Sequence, residues 1–261
     1  MTGADWTQLE AELARWTDAG LSLPVWWRDD DAVTVTPALE RMTNLAEVHG
    51  LPVHLAVIPD GAEPALADYV RGTDWLLPAV HGWAHANHAS KSEKKAEFGA
   101  SRPLMDRLTD AQNGLSRSRE LFGADLQPLF VPPWNRMGAD LAPALAAVGY
   151  RAVSGFTPRD AKWAAPGLER INTHVDPVAW KTTRALADPE VLLAGLVAHL
   201  ADRREGRADR AEPLGLLTHH LIHDDDVWEF VTELLTRLQA GPGRVWRIDR
   251  NLNGRAVDEP A

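Results

Sequence analysis

Short apolar runs alternate with segments of helical period along most of this 261-residue chain. A continuous apolar run of about four to eight residues indicates a buried strand, and apolar residues spaced three and four apart indicate an amphipathic helix. Alternation of the two favours a parallel sheet, because parallel strands need long crossover connections that are usually helices. We therefore expect an α/β fold with an open or barrel-like sheet, whose strands cover residues 24–28, 53–58, 75–80, 129–131, 151–154, 168–172 and 214–218.

The same pattern indicates one domain over residues 1–261. No internal repeat, low-complexity tract or linker divides the chain. Thr36 followed by Pro37 is typical of a helix start, and Asp188 followed by Pro189 repeats that signal. We predict an extra helix within residues 1–23, and a strand with a tail over residues 242–261.

Composition excludes several classes of protein. The formal net charge is -10 and no window is dominated by Lys or Arg, which argues against a nucleic-acid or anionic membrane partner. The chain has no cysteine, so any metal must be bound by His, Asp or Glu. The first 23 residues contain acids and no apolar run, and no stretch is long enough to span a bilayer. We therefore expect a cytoplasmic protein.

Polar clusters follow several of the predicted strands at the point where each strand ends. The carboxyl ends of parallel strands meet on one face of an α/β fold, and that face carries the chemistry. We therefore expect the clusters to form one site. They are Asp29 to Asp31 after the first strand, His81 and His85 after the third, Trp134 and Arg136 after the fourth, and His219 and His220 after the last.

Two of these clusters predict a metal centre. Three adjacent acids after a buried strand repel one another, and a bound cation explains them better than a solvated turn does. His81 and His85 are four residues apart, so on a helical turn both imidazoles can reach one ion. Two His and one carboxylate leave positions open for water, as in catalytic sites. Two exposed helix histidines are the alternative.

A second pair has the same spacing. His219 and His223 are followed by the acids of residues 224–226. Because those acids stand where a helix begins, N-capping and the helix dipole explain them without a metal. We therefore prefer the first pair, with His88 as a substrate-binding residue or a third ligand.

In order and spacing, the clusters resemble the motifs of the polysaccharide deacetylase family, with its nodulation-factor deacetylase homology domain. Asp29 and Asp30 resemble its Asp-Asp pair, in which a base precedes a metal ligand; a shift to Asp30 and Asp31 stays open. The run from His81 to His85 resembles the motif His-[Ser/Thr]-x-x-His, with Gly82 in the second place.

Three further motifs match less closely. Val131 to Trp134 resembles Arg-x-Pro-[Tyr/Trp], but Val131 stands where the family has an Arg that orients the base. Arg136 is our candidate to replace that Arg. Asp176 and Trp180 loosely match the Asp and Trp of the fourth motif, and His219 matches the His of the fifth, with His220 in the place of an Asp.

The resemblance implies a distorted (β/α) barrel of about seven parallel strands and a metal-dependent deacetylase. It implies one divalent ion, zinc or else Co, Mn, Fe or Ni, on Asp30, His81 and His85. Asp29 would be the base, His219 the acid and Asp176 its carboxylate partner. We expect a small N-acetylated sugar or oligosaccharide as substrate. An inactive carbohydrate- or metal-binding barrel and a hydrolase of a non-sugar amide are the alternatives. The candidate substrate contacts are Trp83, Trp134, Trp180, His88 and His220.

Overall fold

The computed structural model describes residues 3–248, which form seven α-helices and nine strands. The helices are α1 (Thr7–Asp18), α2 (Pro37–Val48), α3 (Pro64–Arg71), α4 (Leu104–Phe122), α5 (Ala142–Val148), α6 (Pro189–Arg204) and α7 (Asp225–Ala240). The strands are β1 (Leu23–Ala32), β2 (Val53–Val57), β3 (Leu76–His81), β4 (Leu129–Val131), β5 (Ala152–Val153), β6 (Trp163–Ala165), β7 (Leu168–Arg170), β8 (Leu214–Thr218) and β9 (Gly243–Val245).

One sheet contains all of these strands. Its order is β6-β7-β5-β4-β3-β2-β1-β8, and β9 pairs with the start of β1. Every pair is parallel except β6 with β7. A single bridge between Val175 and Leu216 joins the segment after β7 to β8 and so curls the sheet toward closure. The seven strands β1 to β5, β7 and β8 make the wall of the barrel, and the predicted distorted (β/α) barrel is confirmed.

The helix starts follow from local side-chain chemistry. The hydroxyl of Thr36 accepts a hydrogen bond from the Leu39 N–H at the start of α2. The carboxylates of Asp188 and Asp224 accept from the first backbone N–H groups of α6 and α7. Each such cap stabilises a helix by about 1 kcal/mol. The acids after His223 are therefore used at a helix start, as predicted.

Helix α3 is absent from the sequence prediction. It has eight residues, and the side chains that it buries are only Leu66, Ala67 and Val70. A period of 3.6 residues cannot be recognised over so few apolar positions. Among the described residues, no helix is long and apolar enough to cross a membrane.

Alternation along the strands divides the core into layers. Val25 and Trp27 of β1 face the helices, together with Leu55 of β2. Residues of the opposite parity face the barrel interior, where alanines at positions 56, 79 and 152 leave space for the indole of Trp26. Trp246 and Ile248, after β9, pack against the same interior cluster.

His54 lies in this interior and is fully buried. Its Nδ1 is 3.2 Å from the Trp27 carbonyl oxygen and its Nε2 accepts from the Ile248 N–H at 3.4 Å. The ring also contacts the indoles of Trp26 and Trp246. Burial lowers the pKa of His54 to about 4, so the folded protein holds it neutral.

This burial predicts a loss of stability in mild acid. Between pH 6.5 and pH 4 the unfolded chain protonates His54 and the folded chain does not, so this contribution to stability is full above pH 6.5 and falls as the pH drops. The loss is roughly 3 kcal/mol. Urea unfolding from pH 4.5 to 7 should show a shallower pH dependence for His54→Gln than for the wild type. The exposed His88 is the matched control, and His88→Gln should keep the wild-type slope. Equal slopes for all three proteins would contradict the account.

Candidate active site

The carboxyl ends of β1, β3 and β8 bring the predicted acids and imidazoles together. Strand β1 continues through the three acids to Ala32, so these acids belong to the strand and do not form a turn after it. β1 pairs with β8 up to Asp29 opposite Thr218, directly before His219. Strand β3 ends at His81. One rim of the barrel therefore carries groups from three strands.

A β-bulge separates the roles of the adjacent acids. Opposite β2, Asp29 pairs with Leu55 and Ala32 with Val57, so β1 has one more residue than β2 between these pairs. Asp31 has φ 76°, in the left-handed region. A bulge turns a side chain away from the direction that strict alternation would give it. As a result, Asp29 and Asp31 do not share an environment.

Asp31, His81 and His85 can hold a metal ion. One ligand atom from each residue lies within 4.8 Å of the other two. Oδ1 of Asp31 is 3.1 Å from Nε2 of His81 and 3.4 Å from Nε2 of His85. Nδ1 of His81 donates to the Val131 carbonyl at 3.0 Å, which directs Nε2 of this ring to the carboxylate. Two imidazoles and one carboxylate suit zinc and similar divalent ions and leave positions open.

The turn between the two histidines is not helical. Gly82 has φ 58° and His85 has φ 54°, so the chain doubles back at both ends of the turn. The imidazole ring centroids are 5.2 Å apart. The helical geometry assumed from the four-residue spacing was therefore wrong, because backbone in the left-handed region brings the rings together instead.

The charges around this group favour a cation. Burial alone would raise the pKa of Asp31, but hydrogen bonding and attraction from His81, with the charges of His219 and His85, hold it well below its usual range. Burial would lower the pKa of His81, and the nearby carboxylates of Asp30 and Asp31 raise it. The pKa of His85 is lowered by burial and by the charge of His81. A divalent ion would replace the protons that now screen the carboxylate.

Asp30 contacts a guanidinium and no ligand imidazole. Nε of Arg28 is 2.9 Å from its Oδ1, and Nη2 of Arg28 donates to its Oδ2 at 2.9 Å. Both side chains are buried. The sequence left open two registers for the base and the ligand, and these distances match the register with Asp30 and Asp31. Asp30 as the ligand and Asp29 as the base stay predictions that this geometry does not favour.

Asp29 is part of a buried clamp between β1 and β8. Its carboxylate is 2.5 Å from Nδ1 of His220, and it accepts from the Thr218 hydroxyl at 2.6 Å and from the His220 N–H at 2.9 Å. Burial raises the pKa of Asp29, but His220 and Thr218 bring it below the usual value, and Asp29 raises the pKa of His220 in turn. Both side chains are fully buried, so neither can contact a substrate.

Arg28, and not Arg136, is the guanidinium that contacts the predicted acids. Besides Asp30, its guanidinium donates to Oδ1 of Asn135 at 2.7 Å and to the hydroxyl of Ser154 at 2.6 Å. Arg136 is exposed, and its guanidinium donates to the Lys95 carbonyl at 2.8 Å. The signal for Arg28 in the sequence was a cation between a buried apolar run and three acids, because a buried guanidinium needs a carboxylate partner.

His219 faces Asp30 across the site. Its Nε2 is 4.0 Å from Oδ2 of Asp30, and the indole of Trp180 packs edge-on against its ring at 4.6 Å between centroids. Oδ2 of Asp176 accepts from the Trp180 indole at 2.7 Å. Burial raises the pKa of Asp176, and attraction to His219 opposes this. Asp176 thus acts on His219 through its charge and through Trp180.

The alternative pair of His219 and His223 does not form a metal site. Nε2 of His223 accepts a hydrogen bond from the His219 N–H at 3.1 Å, so this ring supports the turn after β8. Burial lowers the pKa of His223 to about 4. A neutral ring with its Nε2 occupied by a backbone N–H has no lone pair there for an ion.

The remaining candidates divide between the site and the core. The Trp134 ring lies 4.2 Å from the His85 ring, and Trp134 and Asn135 both have φ 57°. Trp83 packs against the core cluster that contains Phe130. His88 is exposed in the loop before α4.

The fold is similar to that of known deacetylases. A T48 deacetylase solved with substrate superimposes with a TM-score of 0.52 and 16% identity over 88% of this chain and 90% of that one. A family 4 carbohydrate esterase from Streptomyces lividans, in complex with acetate, superimposes with a TM-score of 0.51 and 15% identity. The match covers 90% of this chain and 97% of the esterase. The chitin deacetylase of the fungal pathogen Colletotrichum lindemuthianum superimposes with a TM-score of 0.51 and 14% identity. The match covers 86% of this chain and 88% of the chitin deacetylase.

No family model and no curated protein matches the sequence. At these identities the similarity establishes the fold. The resemblance to the polysaccharide deacetylases seen in the motifs is confirmed at that level, since the similar structures include a family 4 carbohydrate esterase and a chitin deacetylase.

The geometry predicts which acid binds the metal. Asp31→Asn, His81→Ala and His85→Ala should each weaken zinc binding by more than the about 10- to 100-fold that loss of an outer hydrogen-bond partner costs. Asp30→Asn should stay within about that range, because Asp30 contacts Arg28 and no ligand imidazole. Calorimetric titration with zinc measures the dissociation constants. Loss of binding in Asp30→Asn with binding kept in Asp31→Asn would restore the other register.

Arg28 and Arg136 should separate in a stability experiment. Arg28→Met leaves the Asp30 carboxylate buried without its partner and should lower the free energy of unfolding by about 3–5 kcal/mol. Arg136→Met removes one exposed contact and should change it by less than about 1 kcal/mol. Urea unfolding measures both values. Similar values for the two variants would contradict the role assigned to the Arg28 pair.

Proposed function

We propose that this protein is a metal-dependent deacetylase that hydrolyses the N-acetyl group of a small saccharide. The observation that carries the proposal is the position of Asp30. Oδ2 of this carboxylate is 4.0 Å from Nε2 of His219, and Asp30 directly precedes Asp31 of the candidate metal group in the chain. A base, an ion site and an acid on one rim are the components that amide hydrolysis needs.

The proposed ion is divalent, and zinc is the ion that we propose, because the ligand set is two imidazoles and one carboxylate. When bound on Asp31, His81 and His85, such an ion supplies Lewis-acid polarisation of the acyl oxygen and lowers the pKa of water.

In this proposal Asp30 accepts a proton from the attacking water. The water oxygen forms a bond to the acetyl carbon, and the carbon–nitrogen bond then breaks. His219 donates a proton from Nε2 to the leaving nitrogen, because an amine does not leave as an anion at neutral pH. Acetate and the free amine are the products. Arg28 holds the Asp30 carboxylate in one orientation through its two contacts.

The walls of the site fit a sugar with an acetamido group. The indole of Trp180 is two-fifths exposed beside His219, and half-buried Trp134 lies over His85. Aromatic faces stack on the apolar faces of sugars and can enclose an acetyl methyl. The net charge of -10 disfavours acidic polymers at long range. The similar structures include a carbohydrate esterase in complex with acetate and a chitin deacetylase, which supports acetylated saccharides as the substrate class.

Arg28 also bears on the alternative of an inactive binding barrel. That alternative depended on Val131 standing in place of a guanidinium that orients the base. The contact between Arg28 and Asp30 supports a functional base, because a guanidinium from β1 orients the carboxylate in place of one at position 131 on β4. Hydrolysis of a non-sugar amide would use the same residues and stays the second candidate.

Acetate release tests the proposal. The zinc-loaded wild type should deacetylate soluble N-acetylated oligosaccharides. At saturating zinc, Asp30→Asn should lose about 10²- to 10⁴-fold in kcat, because an amide cannot accept the proton of the attacking water. The change also weakens the pair with Arg28, so urea unfolding of the same variant checks that it is folded. His219→Ala should lose a similar factor on amides and much less on an activated phenyl acetate, whose leaving group needs no protonation.

Activity on acetylated amines without activity on saccharides would favour the non-sugar amidase. If the zinc-loaded protein releases no acetate from saccharides, acetylated amines or insoluble polymers, the inactive binding barrel would be favoured. Turnover confined to insoluble chitin or peptidoglycan would contradict the small-substrate part of the proposal.

A further inference from the structure

Glu97 is a buried carboxylate that the proposed chemistry does not use. It has no exposed surface and lies in the long loop between β3 and α4. A buried carboxylate without compensating donors is costly to the fold. The partners of Glu97 therefore indicate what it is for.

Those partners are backbone N–H groups of the turn that carries the two metal-binding histidines. Oε1 of Glu97 accepts from the Ala84 N–H at 2.8 Å and is 3.5 Å from the Ala86 nitrogen. Oε2 accepts from the Trp83 N–H at 3.2 Å. Two of these residues lie between His81 and His85, and the third follows His85. The carboxylate thus spans the turn that defines the distance between the two imidazoles.

Gly82 supplies the space that Glu97 needs. A Cβ at Gly82 would lie 2.3 Å from Oε2 of Glu97 and 2.6 Å from Cδ of Pro133, both too short for real contacts. Gly82 also has φ 58°, where side chains are strained. A glycine in the second position of the histidine motif and a glutamate fifteen residues later are therefore parts of one arrangement.

The loop around Glu97 is fixed to the core. Phe98 is buried against Phe130, and its carbonyl accepts from the Gly138 N–H at 2.8 Å. Oδ1 of Asn87 accepts from the Ala96 N–H at 3.0 Å. Arg136 donates to the Lys95 carbonyl at 2.8 Å. The Glu97 carboxylate is therefore held in place by contacts of its own loop as well as by its hydrogen bonds to the turn.

We propose that Glu97 is a positioning residue that sets the geometry of the two imidazole ligands through the backbone of the turn from His81 to His85. The proposal rests on the proposed metal centre and adds to it a residue that touches neither the ion nor the substrate. The sequence gives no local motif for it, because Glu97 is separated from the histidines by an irregular loop.

Zinc titration of two matched variants tests the proposal. Glu97→Gln keeps one acceptor oxygen and turns an amide donor toward the N–H groups of the turn, so the dissociation constant for zinc should rise about 10- to 100-fold. Glu212→Gln is the control. Glu212 is also buried and accepts from the N–H groups of Arg159 and Asn172, but it lies directly before β8 in the chain, and its hydrogen bonds to described residues include none to the turn from His81 to His85. It should lower the unfolding temperature and leave the zinc dissociation constant unchanged.

Glu97→Ala provides a second variant, since the atoms that it removes have the shape of an acetate ion. Added acetate should tighten zinc binding in Glu97→Ala and not in the wild type, with chloride at equal ionic strength as the control. An unchanged zinc affinity in Glu97→Gln, or an equal loss in Glu212→Gln, would overturn the proposal. Asp31→Asn distinguishes failure of the positioning role from failure of the proposed metal centre. If it loses zinc while Glu97→Gln does not, only the positioning role fails; if the wild type binds no zinc, the metal centre fails with it.

Discussion

The arrangement of the site depends on the buried ion pair between the guanidinium of Arg28 and the carboxylate of Asp30. The guanidinium is fully enclosed and contacts Asp30 on β1, Asn135 after β4, and Ser154 and Gly155 after β5. A buried charge destabilises the fold unless it is paired with an opposite charge and hydrogen-bonded, and both Nη groups of Arg28 donate to acceptors. The ends of three strands are therefore fixed relative to one another by one side chain, and the carboxylate of Asp30 is fixed with them.

The three adjacent acids illustrate how one strand end serves three purposes. Asp29 is buried against His220 and joins β1 to β8, Asp30 is paired with Arg28, and Asp31 lies between two imidazoles. The bulge in β1 makes this division possible, since regular alternation would put the first and third acids on one face. Several residues at the site have positive φ, which fits the tendency of backbone strain to collect at functional sites.

The fold could be predicted from the sequence because the spacing of apolar residues indicates most of its strands and helices. The strands around Val53 and Leu214 and the caps at Thr36 and Asp188 follow from local chemistry alone. The face of the barrel that carries the site also followed, from the rule that strand ends converge.

The finer assignment of the site could not be predicted in the same way. The register of the acids depends on a bulge that no residue pattern reveals, and the turn from His81 to His85 depends on left-handed backbone at a non-glycine residue. Arg136 is the arginine closest in sequence to Val131, where the family motif has its Arg, but Arg28 is the arginine that contacts Asp30 in the structure. Contacts such as those of Glu97 join segments through an irregular loop and have no period to recognise.

The central claim is that one divalent ion binds on Asp31, His81 and His85. A crystal structure of the zinc-loaded protein, with anomalous data collected at the zinc absorption edge, tests it most directly. The account predicts one strong anomalous peak at about 2.0–2.2 Å from Nε2 of both histidines and from a carboxylate oxygen of Asp31. A peak on Asp30, a peak between His219 and His223, or no peak at full zinc loading would contradict it.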